Sequence, residues 1–151
     1  MKPTPSDWPR ITSSVFYQDP VKAIDWLCDV FGFEVRMKIE GEGGEIVHSE
    51  LEYGEGLIMV GGEGGWHSVP DRSFARSPRA VAGANTQSLM VYVDDVRAHH
   101  DRAVANGAVV FRPLSVSDYG EEYWADEGYG CEDLEGHTWY FAQRLRTKGL
   151  E

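Results

Sequence analysis

Residues 133–143 read Asp-Leu-Glu-Gly-His-Thr-Trp-Tyr-Phe-Ala-Gln, and this stretch sets the architecture. Asp133, Glu135 and Gly136 have turn chemistry, and His137 to Gln143 then reads as an aromatic-rich strand. Strand side chains alternate, so Trp139 and Phe141 share one face while Thr138 and Tyr140 share the other. Two large rings on one face predict burial there. The question is what the other face looks at.

Working outward, the same order of elements occurs twice. Ile11–Tyr17 alternates as a strand, and Asp19-Pro20 starts a helix that carries Val21, Ile24, Leu27, Cys28 and Phe31 and stops at Gly32. Strands follow at 33–39, 46–53 and 57–60, with turns at Glu40–Gly44 and at Gly54-Glu55-Gly56. After the long segment 61–85 the pattern restarts. Ser88–Val93 is a strand, Asp94-Asp95 caps a helix that ends at Asn106-Gly107, and Ala108–Arg112 is a strand. Leu114–Gly128 is expected to be an extended loop, followed by strands at 129–132 and 137–143. The expected fold is α+β: two tandem βαβββ modules, 10–62 and 86–143, joined by loop 63–85. Together they would make one domain, a curved cup-shaped mixed sheet with its helices outside.

Composition narrows the function classes. The chain has 151 residues, with 14 Lys+Arg against 25 Asp+Glu and a net charge of -11. No basic footprint is visible, so no nucleic-acid partner is expected. No apolar run approaches the ~18 residues that span a bilayer, so no membrane partner is expected. Met1–Arg10 holds three prolines and no apolar core, so it does not read as a secretory signal. Cys28 and Cys131 lack metal or redox spacing and read as reduced thiols. A cytoplasmic protein is the expectation.

Strand alternation also sorts the faces. Ile11, Val15 and Tyr17, then Leu89, Val91 and Val93, then Trp139 and Phe141 should pack under the helices. The opposite face then carries Phe16, Met90, Tyr92 and Tyr140 beside Thr12, Ser14 and Thr138, and His48, Glu50 and Glu52. Such a mixed lining suits a small-molecule pocket.

In this order, several short stretches resemble the vicinal oxygen chelate superfamily, which includes glyoxalase I, extradiol dioxygenases and bleomycin-resistance proteins. They are Tyr17-Gln18-Asp19, Val30-Phe31-Gly32-Phe33, Glu52–Gly56, Val93-Asp94-Asp95-Val96, Asn106-Gly107-Ala108, Tyr119-Gly120 and Asp133–His137, where Leu134 replaces the family's proline. The resemblance implies paired modules around a cleft and frequently a homodimer. Whether one chain or two complete the cup is left open. The family's metal enzymes hold a divalent ion at positions that fall here on Thr12, Ser88 (or Gln87), Tyr140, and Met59 or Val60. None is an imidazole or a carboxylate, which such ions normally need. The resemblance therefore points to the metal-free, bleomycin-resistance-like members: a protein that binds a small aromatic or amphipathic molecule with no metal or other cofactor. The alternative is a glyoxalase-type lyase, isomerase or dioxygenase using an unusual ligand set that includes His48 and Glu50. Catalysis is left open, and no catalytic residue is assigned.

The candidate ligand-binding residues are Phe16, His48, Glu50, Met90, Tyr92, Trp124 and Tyr140. Each has a plainer reading. Phe16, Met90, Tyr92 and Tyr140 also suit a filled core, and His48, Glu50 and Glu52 also suit a solvated strand face. Trp124 either stacks on a ligand or plugs an interface. His99 and His100 point in different directions, so one should be packed and one wet. His137 reads as a turn residue. In the long segment, Arg72, Arg76 and Arg79 make a local positive cluster that could attract an anionic ligand, though such clusters more often pair with surface carboxylates, and His67 could reach a ligand but reads first as a surface residue.

Overall fold

A computed structural model describes residues 1–64 and 74–147. The chain divides into two compact units, Met1–Ala82 and Gly83–Glu151. His67 and Arg72 lie outside the described residues.

The first unit runs β1 (Ser13–Tyr17), α1 (Pro20–Trp26), a π-helical turn (Leu27–Phe31), β2 (Glu34–Glu40), β3 (Ile46–Tyr53) and β4 (Gly56–Gly62), then a 3-10 turn (Pro78–Val81). Its sheet has the order β1-β4-β3-β2. β1 is parallel to β4, and the other pairs are antiparallel. The Asp19 side chain caps α1 by accepting from the Lys22 N–H at 3.0 Å, with Pro20 in the first turn. Gly32 closes the segment at φ 86°, and its N–H donates to the Leu27 and Cys28 carbonyls at 3.1 Å. The five-residue reach to Leu27 brings Trp26 edge-on to Phe31, with 4.9 Å between centroids. Val15, Tyr17, Leu51 and Val60 are buried with Ile24, Leu27 and Phe31 of the helical segment. Each such side chain contributes about 1.5–3 kcal/mol by leaving water.

The second unit repeats the order: β5 (Ser88–Tyr92), α2 (Val96–Ala105), β6 (Val109–Asp118), β7 (Ala125–Glu132) and β8 (Thr138–Arg146). Its sheet order is β5-β8-β7-β6, with β5 parallel to β8. Asp95 caps α2 through the Arg97 and Ala98 N–H groups. His99, on α2, packs against Phe141 at a 35° tilt with 4.1 Å between centroids, and its Nδ1 pairs with the Tyr129 hydroxyl at 2.7 Å. α2 therefore covers the Trp139/Phe141/Tyr129 face. His99 is the packed member of the histidine pair, while His100 lies partly exposed beside Asp101. The fold is α+β, with a four-stranded mixed sheet and one main helix in each unit.

Asp133 organises the turn that launches β8. Its Oδ1 accepts from the Glu135 and His137 backbone N–H groups, and its Oδ2 accepts from Trp139 Nε1, each at 3.0 Å. Gly136 takes φ 90°, a conformation that only glycine adopts without strain. Trp139 is fully buried.

Two expectations need correction. Leu114–Gly128 is not one long loop: β6 runs on to Asp118 and β7 starts at Ala125, leaving only 119–124 as a turn. Pro113, inside β6, falls where the register with β7 shifts, on the outer strand of the sheet. A missing N–H costs little there. Ile11 does not pack under a helix; it is exposed and precedes β1.

Candidate functional site

In the second unit, the face of the sheet turned away from α2 is rich in aromatic groups. Met90 pairs with Tyr140, and Tyr92 with Ala142, across the β5–β8 register. Tyr140 meets Phe111 edge-on at 5.6 Å. Gly130 permits this contact, because a Cβ there would come within 2.8 Å of the Phe111 ring. Tyr92, Met90 and Trp124 are 48%, 55% and 41% exposed.

Two groups that the sequence reading passed over connect these rings. The Arg144 guanidinium carbon lies 5.1 Å from the Tyr92 centroid and 5.5 Å from the Trp124 centroid. Arg144 Nε donates to Asp126 Oδ1 at 2.5 Å, and its Nη2 donates to the Tyr92 hydroxyl. That hydroxyl donates to Asp126 Oδ2 at 3.2 Å. Beside them, Trp124 meets Tyr119 at 5.4 Å and Tyr123 at 6.3 Å. The 119–124 turn is closed by Tyr119 N–H donating to the Trp124 carbonyl. One ion pair thus positions Tyr92 and Trp124, residues distant in sequence. Its own outcome is electrostatic: Asp126 and the Tyr92 hydroxyl hold the Arg144 guanidinium charged, raised from its ordinary value.

In the first unit, Ser14 and Phe16 pair with Met59 and Gly61, and Glu52 pairs with Leu57. Phe16 meets Phe74 edge-on at 6.3 Å. His48 and Glu50 are joined directly, Nε2 to Oε1 at 2.8 Å. A register shift in β2 between Val35 and Met37 re-aims Arg36, whose Nε reaches Glu50 Oε2 at 3.3 Å. Glu50 is therefore a buried carboxylate held by two side chains, not a solvated one. Arg36 also lies over Trp8 at 5.7 Å and donates to the Asp7 carbonyl. Segment 4–9, with Arg36, Glu52 and 54–57, lines a cavity of about 840 Å³. Arg76 Nη1 donates to the Ala75 carbonyl at 3.0 Å.

The positions that would hold the family's metal do not fit one. Thr12 Oγ1 is buried with no hydrogen-bond partner among the described residues. Met59, Ser88 and Tyr140 offer a thioether, a hydroxyl and a phenol, a poor donor set for a hard or borderline divalent ion. The alternative set built on His48 and Glu50 spends Glu50's oxygens on His48 and Arg36. Among the described residues, no three His, Cys, Asp or Glu side chains converge closely enough to hold a metal ion. Nor is any described helix long and apolar enough to cross a membrane.

Known proteins share this architecture. TioX from Micromonospora sp. ML1 superposes with a TM-score of 0.70 at 33% identity, covering 91% of this chain and 99% of that one. A glyoxalase/bleomycin resistance protein/dioxygenase family enzyme from Burkholderia phytofirmans shares the fold, with TM-score 0.61 and 18% identity over 89% of this chain and 97% of that one. An uncharacterized protein of Mycobacterium bovis is 23% identical over 95% of this chain and 88% of its own length. The sequence pattern of one family matches residues 10–141, and the chain belongs to that family, the Glyoxalase/Bleomycin resistance protein/Dioxygenase superfamily.

Proposed function

We propose that the protein binds a small aromatic or amphipathic molecule without a metal, in the manner of the bleomycin-resistance-like members. The observation that carries this is the exposed Tyr92–Trp124–Tyr119–Tyr123 ring cluster, fixed by Arg144 and Asp126. Large exposed rings held in place form a stacking surface at little entropic cost on binding. Met90 and Tyr140 extend the apolar area on the same sheet face. On the first unit, Phe16 of β1 and the His48–Glu50 pair of β3 stand as separate candidate contacts. The protein would act in the cytoplasm as a homodimer; the exposed Val35, Met37 and Ile39 on β2 give apolar area for such a contact.

The test is a calorimetric titration of the full chain with a neutral fused-ring probe, 2-naphthamide, with and without added divalent ions. Metal-independent binding that weakens in Trp124→Ala supports the reading. Binding that requires a divalent ion, or that ignores Trp124, removes it. Sedimentation velocity tests the dimer.

A further inference from the structure

We propose that the ligand of the second unit is a planar ring compound carrying an oxyanion, such as an aromatic carboxylate, and that Arg144 is its anchor. The proposal rests on the binding reading above and adds the ligand's chemical class.

A guanidinium has five N–H donors. In Arg144 one goes from Nε to Asp126 Oδ1, and one from Nη2 to the Tyr92 hydroxyl. The other three have no protein acceptor among the described residues. The carboxylate opposite is spent: Asp126 Oδ1 takes Arg144, and Oδ2 takes the Tyr92 hydroxyl. Exposure follows the same division, since the Arg144 side chain is 34% exposed and that of Asp126 only 12%. An arriving ligand therefore meets guanidinium N–H groups rather than carboxylate oxygens.

The rings argue in the same direction. Tyr92 and Trp124 already share one cation, Arg144. An organic cation would have to displace a guanidinium held by a 2.5 Å ion pair. A planar ring stacked on the exposed part of Trp124 can leave that ion pair in place and bring a substituent near the spare N–H groups. Planar oxyanions match the guanidinium fork and form charge-assisted hydrogen bonds. The remaining charges nearby are balanced or solvent-facing: Arg146 pairs with Asp118 at 2.5 Å, and Glu121 and Glu122 are exposed. The net charge of -11 opposes an anion only at long range. Salt screens that beyond about 8 Å under physiological conditions, so contact chemistry decides the preference.

The experiment uses three probes with one ring system: 2-naphthoate, 2-naphthamide and 2-naphthylmethylammonium. Each is titrated into the full chain by calorimetry at neutral pH. The expected result is 2-naphthoate binding roughly tenfold tighter than the amide, with the ammonium weakest. In Arg144→Gln the affinity ratio of 2-naphthoate to 2-naphthamide should fall to about one, 2-naphthoate losing more than the amide even where loosening of the rings weakens both, and Arg144→Lys should keep part of the preference. Equal binding of all three probes, or tightest binding of the ammonium, overturns the proposal. So does an equal loss of all three in Arg144→Gln, which would make Arg144 a positioning residue. If all three bind alike and all weaken in Trp124→Ala, the anchor fails and the stacking surface stands. If none binds, both readings fall.

Discussion

Trp139 Nε1 donates to Asp133 Oδ2 at 3.0 Å, tying a fully buried indole to the turn that launches its own strand. The other Asp133 oxygen holds two backbone N–H groups of the same turn. Removing the carboxylate takes this acceptor from three donors at once, two of them in buried hydrogen bonds. Asp133→Ala is expected to lower unfolding free energy by about 2–4 kcal/mol, and Asp133→Asn by roughly half of that, because it keeps one acceptor oxygen. Urea denaturation measures both. A change below about 0.5 kcal/mol in Asp133→Ala would show that the turn is held by something else.

Trp124 and Tyr92 should separate binding from folding. Both are well exposed, so Trp124→Ala should change stability by no more than about 0.5 kcal/mol, as for ordinary surface substitutions. Tyr92→Ala should cost up to about 1 kcal/mol through its hydroxyl contacts. Each should weaken 2-naphthamide binding roughly five- to tenfold. Loss of stability without loss of binding would place both rings in the scaffold instead.

The two cysteines should react very differently. Burial, aided by the negative charges of Asp133 and Glu132, pushes the Cys131 thiol up to about 12 from an ordinary value of 9.0. Cys28 is also raised, first by its burial and then by Asp29, but it is partly exposed. Iodoacetamide at mildly alkaline pH should label Cys28 slowly and Cys131 only after unfolding, since the thiolate is the nucleophile. The sign for stability follows. A thiol raised in the folded state holds its stabilisation below pH 9.0, and loses it as pH climbs from there toward about 12. Fast native labelling of Cys131, read by mass spectrometry, would contradict its burial.

Gly130→Ala tests the Phe111–Tyr140 contact. The new methyl would meet Phe111 ring carbons at 2.8 Å and Tyr140 at 3.1 Å. Phe111 must swing away, at an expected cost of about 1–3 kcal/mol. Double substitution with Phe111→Ala should recover part of that loss, which a double-mutant cycle would read as coupling. Additive effects would mean that the Phe111 ring does not lie over position 130.

Much of the fold was legible because local chemistry and periodicity agreed. Asp19-Pro20 and Asp95 cap helices where side-chain oxygens can reach free N–H groups. Alternation placed Ile46–Tyr53 as a strand with the observed ends. What stayed hidden depends on register. Arg144 falls just past the expected last strand, 137–143, and Asp126 in the expected loop 114–128; only the pairing of β7 with β8 sets them opposite each other. Likewise, nothing along the sequence shows Arg36 reaching Glu50, because an irregularity in β2 turns it there. The candidate residues were chosen by face, whereas the ion pairs that fix them join faces through pairing partners.

Pro113 has one more consequence. β6 is the outermost strand of its sheet and exposes Val109, Phe111 and Val116. A long, flat, apolar border of this kind would template the addition of strands from other molecules. Proline withholds an N–H from any incoming strand, and the two nearby register slips bend the border away from flatness. A proline in this edge strand therefore works against sheet extension there.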